Sequence, residues 1–132
     1  ITAHVFGYDA LPDIIGAGFD SIEHGTGLTE DLIDQLVARE IALVPTLIQV
    51  ENFPGIADGA DRFPAYQANM RKLYAESSAV YAAAREAGVA VWVWPNDAAT
   101  QENEAFYREL VALGIDGIIA GRPAQATAAI AG

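Results

Sequence analysis

The chain has 132 residues, 52% hydrophobic and 19% charged, which specifies a folded core and excludes a disordered segment. Eighteen acidic residues against seven basic ones give a net charge of −11, which argues against nucleic acid and anionic membranes as partners. With no cysteine, disulfides and thiolate metal sites are excluded and a cytoplasmic location is the default expectation, while the length falls well short of the roughly 250 residues of a closed eight-stranded α/β barrel.

Short β-branched and aromatic runs alternate with stretches of helical period, the pattern of βα units around a parallel sheet. The chain opens on Ile1, already inside a strand expected at 2–6 (TAHVF), as if cut from something larger. A short helix over 10–17 stops at Gly18, and a second strand follows at 20–24 (DSIEH). Thr29 is placed to cap a helix reaching Glu40, with Glu30 and Asp31 in its first turn and Leu32, Ile33, Leu36 and Val37 on one face. Residues 42–48 (ALVPTLI) read as a third strand, and 51–64 as a long loop and candidate lid. A longer helix follows Pro64 and ends at Gly88. Strands at 90–94 (AVWVW) and 116–120 (DGIIA) flank a helix over 100–113, and a weak helix over 124–131 closes the chain. The joints AGFDSI, AGVAVW and LGIDGI each place a glycine where a helix must turn into the next strand.

The only two histidines, His4 and His24, lie late in consecutive strands. Ligands of parallel α/β folds collect at the carboxyl ends of strands, so pairing of these neighbours brings both imidazoles to one rim, where zinc or another divalent metal can use their nitrogens. The alternative is that each ring is simply hydrogen-bonded at its strand end. Glu23 is expected on the opposite side of the strand from His24, in a structural role.

TAHVFG, DSIEHGTGLTEDLIDQLVAREIALVPTL and NFPGIADG, continuing to AREAGV, resemble the metal-dependent amidohydrolase superfamily, in particular its imidazolonepropionase-like branch, from the fifth barrel strand towards the eighth. The resemblance covers about residues 1–90. It implies that His4 and His24 are metal ligands and that an aspartate after the last of these strands collects a proton. VWVWPND offers Asn96 or Asp97 there, depending on a one-residue shift, and only Asp97 has the chemistry of a base. The family's His-x-His pair and its fourth-strand ligand have no counterpart in this sequence.

From about Val89, VAVWVWPND and LGIDGIIAGRP resemble the last two strands of glycerophosphodiester phosphodiesterases. That family's catalytic groups sit on earlier strands, so none transfers; Trp92, Trp94 and Arg122 at most line a pocket. Core or interface packing is the simpler reading of the two tryptophans. Arg122 is either a phosphate anchor or an ordinary turn residue before Pro123.

The expected fold is a single α/β domain over 1–132, with about five βα units and a parallel sheet, either a half-barrel or an open doubly wound sheet, and a fragment junction near 88–90. Such a sheet leaves an edge open, so a homo-oligomer is expected. The leading functional expectation is a recombined or engineered scaffold of barrel fragments without efficient catalysis, holding at most a residual divalent-metal site. The alternative is a metal-dependent hydrolase of amides, esters or phosphoesters completed by oligomerisation. A binding module using the 51–64 loop is a third.

Overall fold

The computed structural model describes residues 1–95 and 102–131. Strands β1 (Thr2–Val5), β2 (Ser21–His24) and β3 (Ala42–Val44) form one parallel sheet in that order. Strands β4 (Trp92–Val93) and β5 (Gly117–Ile118) form a second parallel pair. A bridge between Leu43 and Val91 links the two, with the Leu43 N–H donating to the Ala90 carbonyl at 2.8 Å. The fold is therefore mixed α/β with parallel strands. Spatial order follows chain order among the described residues, which is the winding of a barrel segment; a doubly wound sheet reverses at a switch point.

Period-two alternation divides the first sheet into two faces. Val5, Ile22 and Leu43 point towards α1 (Leu11–Ala17) and α2 (Glu30–Ala38), where Leu11, Ile15 and Leu36 are fully buried. Thr2 and His4 lie on the other, open face, the one a barrel would enclose. The three joint glycines, Gly18, Gly88 and Gly114, all have φ between +72° and +89°, so the short helix-to-strand turns form as their sequences predict. Gly27 serves a different need: a Cβ there would stand 2.4 Å from the Gly7 carbonyl oxygen. The loops after β1 and β2 can therefore touch backbone to backbone and hold the strand ends together.

Several sequence expectations are corrected. The strand expected over 42–48 ends at Val44, because Pro45 has no N–H for a central ladder and Thr46 adopts φ +45°; Leu47–Val50 then turn into a short helix, α3. The segment 51–64 is not one long loop. It holds α4 (Phe53–Asp58), with a proline in its first turn and with Phe53 and Ala57 fully buried against Met70 and Leu73 of α5 (Pro64–Glu86). β4 and β5 keep two residues each of the five expected. α6 (Glu104–Ala112) begins where Asn103 caps it, and α7 (Pro123–Ala131) ends the fold. Among the described residues, no helix is long and apolar enough to cross a membrane.

Candidate functional site

The register pairs His4 with Glu23 and Val5 with His24. In regular strands His24 would follow Val5 towards the helices and away from His4. It does not, because His24 is in the left-handed region at φ +69°, an uncommon state for a residue with a Cβ. That rotation carries the imidazole over to the open face. His4 Nδ1 and His24 Nε2 lie 3.2 Å apart, and the Phe6 ring stacks on His24 at 4.1 Å between centroids.

The hydroxyl of Thr46 fixes the His24 tautomer. Thr46 Oγ1 donates its single proton to the Pro45 carbonyl at 2.8 Å, so in its close contact with His24 Nδ1 it accepts. His24 is then an Nδ1–H imidazole whose Nε2 lone pair faces His4, the second-sphere arrangement that metal-ligating histidines commonly show. Burial, reinforced by the nearby His4, lowers the His24 pKa to about 4, so the ring is neutral near pH 7. The two rings line a cavity of about 390 Å3 together with Phe6, Thr46, Gln49 and Trp94. It opens at the carboxyl ends of the strands.

Two nitrogens bound to one tetrahedral ion at ~2.05 Å stand ~3.3 Å apart, close to the separation here. The same distance is that of a His4 Nδ1–H···His24 Nε2 hydrogen bond, so a divalent ion would take the two nitrogens on two of its positions by replacing that proton. Among the described residues no third His, Asp or Glu joins the pair. Asp97 and Asn96 lie outside the described residues.

Glu23 corrects its expectation in part. It is buried, but it lies on the His4 side of the sheet, accepting from the Thr2 hydroxyl at 3.4 Å. Burial raises its carboxyl pKa, partly offset by His4 and Thr2. Arg122 is exposed and lines neither this cavity nor the adjoining one; its backbone N–H donates to the Tyr107 hydroxyl at 3.3 Å and its carbonyl accepts from α7, as a turn residue would. Trp94 is 47% exposed and lines the cavity; it is not part of the core. Sequence reasoning missed Thr46 and Phe6. Pro45 inside the expected strand was the available signal for Thr46, since a central strand rarely tolerates proline.

No family model matches the chain. Uncharacterized proteins of Mycobacterium tuberculosis and Mycobacterium bovis are 53% identical over 120 residues, covering 91% of this chain. The chain spans 32% of the length of these curated relatives. A match of 120 residues out of 132 must run through 88–90, so similarity to natural proteins is continuous across the expected junction, which does not fit a chimera or a designed sequence. Among solved structures, a Xaa-Pro dipeptidase with methionine bound in its active site superposes with a TM-score of 0.59 at 25% identity, over 86% of this chain and 29% of that one.

Proposed function

We propose that this chain carries the two-histidine part of a metal-dependent hydrolase of amidohydrolase type, acting on an amide bond in a small, peptide-like substrate. The observation that supports it most is the approach of His4 Nδ1 and His24 Nε2 to 3.2 Å in an open cavity at the strand ends. The dipeptidase neighbour lends the choice of amide among the hydrolysable bonds.

His4 and His24 would hold zinc or another divalent ion, which supplies polarisation of a carbonyl and a nucleophile from water at neutral pH. Thr46 keeps the Nε2 lone pair of His24 directed into the cavity, and Phe6 covers the ring face. Asp97 is assigned as proton acceptor. Two imidazoles are too few donors for a hydrolytic centre, so further ligands come from outside the described residues or from a second copy of the chain, and self-association across the open sheet edge belongs to the proposal. The competing reading is a residual metal site without turnover.

Zinc retained after dialysis, compared between the native chain and the His4→Ala and His24→Ala variants, tests the pair. A metal content lost in both variants is expected, and unchanged retention overturns the assignment. Hydrolysis of dipeptides with and without added zinc then separates the readings: rates above background only with metal support the hydrolase, and metal retention without turnover supports the residual site.

A further inference from the structure

A second cavity of about 370 Å3 opens beside the first. Pro45, Leu47 and Ile48 form one wall, Trp92 and Trp94 another, and Phe106 of α6 a third. Thr46, Ile48 and Trp94 line both cavities, so the two are compartments of one site meeting where β3 and β4 end. Among the described residues, no charged side chain lines the second compartment. Its size falls within the range of small-molecule pockets, and its walls leave Leu47 58% and Ile48 55% exposed, apolar area that gains by being covered.

The room for Trp92 is written into β5. A Cβ on Gly117 would stand 2.7 Å from Trp92 Cδ1, so only glycine lets the indole lie across that strand. We infer that this compartment is a side-chain subsite, which takes an uncharged apolar side chain, aliphatic or aromatic, borne by the molecule whose carbonyl enters the histidine compartment. A charged side chain would lose its hydration there and find no charged partner among the described residues. The nature of the reacting group rests on the hydrolase reading; the apolar subsite does not.

Both tryptophans of the chain line this compartment, so their emission reports on it directly. The test titrates the protein with N-acetyl-leucinamide and, at equal ionic strength, with N-acetyl-glutamic acid amide, keeping a chelator present so that no metal is required. A saturable blue shift with the leucine compound, about tenfold or more weaker with the glutamate compound, is expected. Ile48→Glu should weaken the leucine response by about tenfold or more without altering the circular dichroism, because the replaced side chain is largely exposed. Gly117→Ala, which crowds Trp92, should shift the emission before any ligand is added. An absent or non-saturable shift overturns the inference, as does equal response to the two compounds. Emission that follows protein concentration and ignores ligand overturns it too, and assigns the apolar wall to a second copy of the chain. Because the chelator removes the metal question, loss of the zinc site with leucine binding intact sinks only the hydrolase reading, and the converse sinks only the subsite.

Discussion

The three-stranded part and the two-stranded part are made of the same βα unit, yet they bury apolar residues to different depths. In the first, Leu11, Ile15, Ile22, Leu36 and Leu43 are all fully buried in one cluster. In the second, the buried cluster is Tyr107, Ala126 and Ala129, while Leu113 and Ile130 of the same region are each 65% exposed. What compensates is polar. The Glu102 carboxylate accepts from the Tyr107 hydroxyl and from the Gly121 N–H at 2.8 Å, tying the turn after β5 to α6. The difference teaches that strand length sets how much of a βα unit closes: strands of three or four residues give their helices a surface to cover, and strands of two do not.

The largest effect that can break this comparison comes from truncating each part. Leu43→Ala removes a fully buried side chain from the middle of the first core and should cost about 2–5 kcal/mol in urea unfolding. Val111→Ala, on α6 and 43% exposed, should stay within about 0.5 kcal/mol. Equal losses would mean that the second part packs as tightly as the first.

A smaller effect comes from His24, which ties the first part to the site. Its folded pKa of about 4 lies below the ordinary value of 6.5, so between these the unfolded chain binds a proton that the folded one refuses. His24's contribution to the stability of the metal-free protein should therefore fall as pH drops from about 6.5 to about 4, by on the order of 1–3 kcal/mol, with no further loss from this group below that. Urea midpoints of the native chain and of His24→Phe across the range check it, the difference between them isolating His24 from Glu23, whose raised carboxyl acts in the opposite direction; the same slope in both contradicts it.

What was legible in the sequence divides along the same line. Helices and joint glycines followed from apolar period and left-handed turns, and the parallel class from their alternation. The histidines could be placed on neighbouring strands, but their meeting depends on a left-handed backbone at His24, which residue type alone does not announce because histidine only occasionally adopts it. The helix Phe53–Asp58 hid inside the stretch read as a long loop: Asn52, Pro54 and Gly55 are residue types that favour turns, although Pro54 is also compatible with a first helical turn and Phe53 with Ala57 gives a one-face pair. The two last strands looked five residues long because apolar runs mark burial or exposure to a partner equally well, and pairing decides between them.

The smallest effect sharpens the comparison at the helix starts. Thr29 precedes α2 in the extended conformation suited to a cap, yet its side chain makes no capping hydrogen bond. Asn103 precedes α6 in the same conformation, and its Oδ1 accepts from the Phe106 N–H at 3.0 Å. A bond that satisfies an otherwise free N–H is worth about 1 kcal/mol, whereas removing a hydroxyl that makes none should cost a few tenths at most. Asn103→Ala should therefore destabilise the protein by about 1 kcal/mol and Thr29→Ala hardly at all. Hydrogen exchange in the first turns of α6 and α2 locates the loss. Faster exchange confined to α6 in Asn103→Ala is the expected pattern, because that helix lies in the region with the shallower core and leans on local bonds; equal acceleration in α2 of Thr29→Ala would remove the distinction.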